Sequence, residues 1–320
     1  MSSSSDALAS AWPAGFTLTG GIPTRGEDLA ASIIFIILFA LLIPLAVWRF
    51  ADRRTRTFTL LRPAIIVLVR VATYIIRAIQ ANGNYDEGLF IGEQVLLLAG
   101  LVPLMEPLVK LVRYHVRRTW VPEPPAAEGA AQKKVTTLDR ALRLLDLAVL
   151  VALILGIVAG SQTGDAIGDP DAASQLKRYR YATIGLSLFV LGVSILVTCA
   201  VHLRSSSDMP LPATLYILAL SGLLIIPNIY KLVISVHSTA LYGSGLKAGF
   251  YLLSALPEWL VCLAFFAFNL NDMFSIREGA WKQKVEKKMR KGKWPTGIGY
   301  VSREEYVRLK EANASEMSMA

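Results

Sequence analysis

The sequence predicts an all-α membrane protein of seven transmembrane helices, with the N-terminus outside and the C-terminus in the cytoplasm. Three observations carry that expectation. The 320 residues are 54% hydrophobic and only 18% charged, with a mean hydropathy of +0.48, whereas soluble domains average about a quarter charged residues. The apolar residues gather in blocks of roughly 18 or more, the length that crosses a hydrocarbon core of about 30 Å at about 1.5 Å per residue. Lys and Arg, finally, concentrate in alternate loops, and that asymmetry sets orientation.

In chain order the blocks predict spans over residues 29–50, 60–80, 89–112, 142–161, 182–203, 211–236 and 248–270. Polar or turn-forming material separates them, as in ANGNYDEG at 81–88. The sixth block is the most polar, with Pro227, Asn228 and Lys231 near one end. Residues 1–28 form an extracellular segment without the basic start and short apolar stretch of a cleaved leader, so the first span is expected to be an uncleaved anchor.

With the N-terminus outside, Arg49, Arg53, Arg54 and Arg56 fall in the first cytoplasmic loop. A run from Lys110 to Arg143 surrounds the loop after the third span, Arg204 follows the fifth, and the tail adds basic residues from Arg277 to Lys310. Arg25, Lys177, Arg178, Arg180 and Lys247 are left outside, and the cluster KRYR at 177–180 is the discordant one. The net charge of +9 therefore belongs mostly to the cytoplasmic face. It points to anionic lipid headgroups as partners, not nucleic acid, because no basic segment lies in a soluble domain able to grip a duplex. A further ligand or protein partner is left open. Cys199 and Cys262 lie within spans and read as free thiols.

Two polar segments stand apart. The stretch VPEPPAAEGAAQKK at 121–134, within a loop of about 113–140, reads as a flexible linker. The tail at 271–320 carries Trp281, Val285 and Met289 at a spacing of four, with Lys284, Lys287, Lys288, Arg290 and Lys291 filling the other positions. That pattern predicts an interfacial helix on an acidic leaflet; a plain solvated basic tail is the alternative.

Charges inside spans are the main functional signal. Arg70 and Arg77 are seven residues apart, so both share one helical stripe with Tyr74 between them. An ionised group near the bilayer centre costs roughly 2.5–3.5 kcal/mol on insertion scales and normally faces a bundle interior. Arg62, near the cytoplasmic end, can snorkel to the headgroups. Lys231 in the sixth span, Glu93 and Glu106 in the third and Glu258 in the seventh supply further charges. Arg70, Arg77, Glu93, Glu106, Lys231 and Glu258 are thus expected to form one buried polar network. It either fixes helix register or lines a site for a ligand or solute. Pro44, Pro103, Pro107, Pro227 and Pro257 add breaks that free backbone carbonyls. Gly156 and Gly160 mark a close helix contact.

Enzyme signatures are missing: no P-loop, HExxH, GxSxG or Cys/His metal spacing occurs. His115, His202 and His237 lie in different loops or span ends, and no cofactor is expected. The seventh span lacks the lysine a retinal pigment needs, with Lys247 at its edge.

The run LTGGIPTRGEDLAASIIFIILFALLIPLAVWRF at 18–50, followed by RVATYIIRAIQANGN and FIGEQVLLLAGLVPL, resembles a family of fungal multi-span membrane proteins. There a Gly-Gly-x-Pro-Thr element, here Gly20, Gly21, Pro23 and Thr24, leads into the first span, and an Arg-containing second span follows. The likeness covers the first three spans and fades beyond residue 140. It implies a non-enzymatic protein of the fungal cell membrane, a sensor or scaffold in surface growth at hyphal tips that is needed for virulence. IPNIYK and ALPEWL bear a looser similarity to the fungal seven-span lipid-translocating exporters, implying a transporter of lipids or other amphiphiles as the alternative.

Overall fold

The computed structural model describes residues 18–52, 55–84, 86–119, 128–166, 169–204, 211–236, 244–274 and 276, with backbone only at 117–119 and 128–139. The chain divides at Ile276–Arg277, and all described residues belong to the first unit. The expected tail helix with Trp281, Lys284, Lys287, Lys288, Arg290 and Lys291 lies outside them.

Among the described residues the regular structure is helical, and seven helices are long and apolar enough to cross a membrane: Asp28–Ala51, Phe58–Ala81, Glu87–Val116, Arg140–Ser161, Pro170–Arg204, Leu211–Val236 and Ser244–Ala267. Proline sets the breaks within them. The first span is interrupted at Leu41, just after the carbonyl of Ala40 that Pro44 cannot serve for want of an N–H. The third stops at Ala99 for the same reason: Pro103 has no N–H for the Ala99 carbonyl, and a 3₁₀ turn at Val102–Leu104 bridges to the helix Met105–Thr119. In the seventh, a π-helical stretch over Phe250–Ala255 precedes Pro257.

Two boundaries differ most from the sequence reading. The fifth span begins at Pro170, twelve residues earlier than expected. Proline suits the first helical turn, and the Asp169 side chain accepts from the Asp171 N–H at 2.9 Å in a cap. KRYR therefore lies on the helix, not in a loop. The fourth helix starts at Glu128, so the latter part of the segment read as flexible linker is helical. Its Ala-, Gln- and Lys-rich sequence has high helix propensity.

The spans close into a ring in chain order, the seventh packing back on the first and second. The third is the inner column, touching the second, fourth, fifth and sixth. Its apolar stretch is 72% buried, against 28% for the first and fourth, which turn residues such as Ile33, Ile37, Leu147 and Ile154 outward. The third and fourth spans approach closely at Gly160, where a Cβ would fall 2.4 Å from the Cα of Val95. Gly160→Ala should therefore destabilise the detergent-solubilised protein by about 1–3 kcal/mol, the cost of overpacking. Gly185→Ala, which meets nothing within 4 Å, should leave the melting temperature unchanged or raise it.

Candidate functional site

The charges form two clusters along the second span, separated by aromatic rings. Arg70, Tyr74 and Arg77 all face the bundle interior, as seven-residue spacing requires. Between the two guanidinium groups, the Tyr74 ring stacks on Phe35 and Phe39 at 5.3 and 5.8 Å and meets Phe250 and Tyr251 at 6.5 Å.

The upper cluster centres on Arg77, which is 0% exposed. Its Nη1 donates to Glu93 Oε1 at 2.6 Å, and its Nη2 to Asp28 Oδ1 at 2.7 Å and the Gly20 carbonyl at 2.6 Å. Nε donates to Tyr251 Oη at 3.0 Å, and the guanidinium lies 4.7 Å from the Phe250 ring centre. One side chain so joins the N-terminal segment and the first, second, third and seventh spans. Asp28 is shared: Lys247 Nζ lies 3.0 Å from its Oδ2 and donates to the Thr24 hydroxyl at 2.6 Å, with Glu27 at 3.0 Å on the rim. Asp28 also opens the first helix, where the helix dipole favours a negative charge.

The GGIPT element is a fitted part of this cluster. Gly20 and Gly21 have φ of +82° and +64°, conformations that glycine adopts without steric cost. The resulting turn aims the Gly20 carbonyl at Arg77, and a Cβ at Gly20 would meet Arg77 Nη1 at 3.1 Å and Phe250 at 3.2 Å. Leu18, Thr19 and Ile22 are buried, and Leu18 and Ile22 pack with Phe90, Leu98, Ala159 and Leu176. The segment at 18–27 is thus inserted into the end of the bundle instead of trailing from it.

The lower cluster pairs Arg70 Nη2 with Glu258 Oε2 at 2.5 Å, both buried. Arg70 Nη1 donates to the Leu96 carbonyl at 3.1 Å, and Lys231 Nζ to the Leu97 carbonyl at 2.9 Å. Both carbonyls lie in the last turn before the break at Gly100. Close approach of Arg70 needs Gly100, where a Cβ would sit 3.0 Å from the guanidinium carbon.

Glu106 belongs to neither cluster, contrary to the sequence expectation. It pairs with Arg62 and, at 2.7 Å, with Lys110 at the opposite end of the bundle. Thirteen residues beyond Glu93, it lies roughly 20 Å away along the helix axis, level with the start of the second span. Arg113 and Asp146 pair at 2.6 Å and Arg49 donates to the carbonyls of Phe266 and Ala267. Two histidines expected to stand apart, His115 and His202, converge on the Thr214 hydroxyl at 3.2 Å each.

Asp28, Lys247 and Arg180 were missed as buried charges. The expected first span starts at 29, one residue after the helix begins, and the seventh at 248, four residues after it begins at Ser244, so Asp28 and Lys247 were both left out; the two spans open at the same end of an odd-numbered ring. An acid and a base level with one another there were open to pairing. Arg180 was assigned to a loop by the late start of the fifth span; it is buried, and its Nη2 donates to Thr19 Oγ1 at 2.6 Å.

Fold and site together define a multi-pass helical membrane protein with internal ion pairs. The chain belongs to the family described as domain of unknown function DUF7702, whose model matches residues 27–271. That match takes in all seven spans and Asp28, Arg70, Arg77, Glu93, Lys247 and Glu258, whereas Gly20–Thr24 precede it. No curated protein matches the chain.

Losing one member of a buried ion pair typically costs about 3–5 kcal/mol, whereas replacing both by apolar groups is often neutral. Arg70→Met should accordingly lower unfolding free energy by about 3–5 kcal/mol, and Arg70→Met with Glu258→Leu should recover most of it. Gly20→Ala should cost about 1–3 kcal/mol through its positive φ and its approach to Arg77. Chemical denaturation in mixed micelles measures both.

Proposed function

We propose that the protein is a non-enzymatic sensor or scaffold of the cell membrane, in which the inserted N-terminal segment is a latch coupled to the spans by buried charge. The observation that carries this reading is the set of contacts made by Arg77, joining the segment at Gly20 to the first span at Asp28, the third at Glu93 and the seventh at Tyr251. Withdrawing the segment removes the Gly20 carbonyl from Arg77 and the Thr24 hydroxyl from Lys247. Polar groups then stand unsatisfied in a dry site, which is costly, so the spans must rearrange to regain partners. A binding event or pull at the surface is converted into helix movement in that way.

The N-terminus is placed outside in this proposal. Two of the basic residues that weighed against that orientation, Arg180 and Lys247, are buried in the bundle and bear less on the loop-charge rule. The basic tail would hold anionic lipids of the cytoplasmic leaflet. The resemblance to fungal membrane proteins supports a place in surface growth at hyphal tips and in infection. An exporter of lipids or amphiphiles is the rival, supported by the looser similarity of IPNIYK and ALPEWL to the lipid-translocating exporters.

Deleting the gene and localising a tagged copy separates these. A growth-tip location and an infection defect, with loss of rescue on truncation after Phe274, fit the sensor. Substrate-dependent flux in vesicles that falls in Arg70→Met or Glu258→Gln fits the exporter. For the latch itself, Lys247→Gln should raise amide hydrogen exchange across residues 18–27 at least about tenfold, since about 1.4 kcal/mol suffices for that factor. Unchanged exchange there would exclude the latch.

A further inference from the structure

The third, fourth, fifth and sixth spans enclose a small cavity, on the scale of a single water, that neither charge cluster fills. The fourth span lines it with the small residues Gly156 and Ala159. Its polar lining is Arg180, Thr183 and Ser187 from the fifth span and Asn228 and Lys231 from the sixth, with no carboxylate among the lining residues.

We infer that this cavity is a binding site for a small inorganic anion of chloride size. Lys231 is 4% exposed. An ammonium has three donors, and Lys231 gives one to the Leu97 carbonyl; the carboxylate whose charge reaches it, Glu258, is already paired with Arg70, so two cations share one anion. An excess of buried positive charge is expensive, and in practice such a charge is balanced by a further partner. Ser187 is also buried, and its hydroxyl has no hydrogen-bond partner among the described residues. It lines the same cavity. Arg180 brings a second buried positive charge to the wall. A water would satisfy the serine but leave the excess positive charge of Arg70 and Lys231 over Glu258 uncompensated. A metal cation would be repelled, and a phosphate group is too large for the space. A chloride balances Lys231 and accepts from Ser187 at once. Because Arg180 also holds Thr19 at 2.6 Å, an anion there would steady the N-terminal segment from its second side. The inference does not depend on the sensor reading, since it rests on different residues.

The test uses the full chain in lipid nanodiscs, with radiolabelled chloride as probe and thermal stability compared in sodium chloride and sodium gluconate. Wild type should bind chloride saturably, at a single site per chain, and melt at a higher temperature in chloride. Ser187→Ala should raise the Kd about tenfold, the effect of one hydrogen bond to a charged group, and Lys231→Gln should abolish binding. Should Lys231→Gln fail to fold, Ser187→Ala, a one-atom deletion, carries the test alone. Absence of saturable chloride binding by folded wild type would overturn the inference, as would an unchanged Kd in Ser187→Ala or inorganic phosphate competing better than chloride.

Discussion

A guanidinium group held away from both water and lipid is the constraint on which the architecture rests. Arg77 must find acceptors for its donors inside the protein, and it finds them on four other parts of the chain: Gly20, Asp28, Glu93 and Tyr251. No single neighbouring helix could supply them. The end of the bundle is therefore built around this one side chain, with glycine turns, aromatic rings and a second cation arranged to suit it. Hydrogen bonds to charged groups are each worth about 1.5–3 kcal/mol net, and in a dry site the loss of any one leaves a donor unsatisfied.

The second cluster shows how helix breaks serve the same end. Proline at 103 ends the inner helix at Ala99, and the carbonyls of the turn before it receive Arg70 and Lys231. Cations are thereby met partly by backbone dipoles and not only by carboxylates. Between the two clusters the stack of Phe35, Phe39 and Tyr74 keeps the ion pairs apart and fills the centre with apolar bulk. Charge at two depths, separated by rings, fixes the rotation of the second span more tightly than an all-apolar interface would.

Much of this was legible in the residues. Arg70 and Arg77 had to share a face, and depth alone set Glu93 beside one and Glu258 beside the other. The failures came where hydropathy defines an edge. Asp28 and Lys247 are charged, so a hydropathy boundary stops short of each, yet both are buried in the first turn of their helices. Arg180 was hidden because a basic tetrapeptide looks like a loop when the proline that starts its helix lies ten residues before it. Glu106 misled in the opposite way: as a charge within the third span it was counted with the others, whereas the distance along that span places it with Arg62 and Lys110. The fold of the N-terminal segment depended on contacts between residues more than fifty positions apart, which local pattern does not encode.

The most direct test of the account is a double-mutant cycle on Asp28 and Arg77, reading unfolding free energy for Asp28→Asn, Arg77→Met and the pair in the same micelles. Residues in one charged network couple by about 0.5–3 kcal/mol; here a coupling of at least about 1 kcal/mol is expected. Additive losses, with no coupling between the two positions, would mean that the charges do not meet in the folded bundle and would contradict the account.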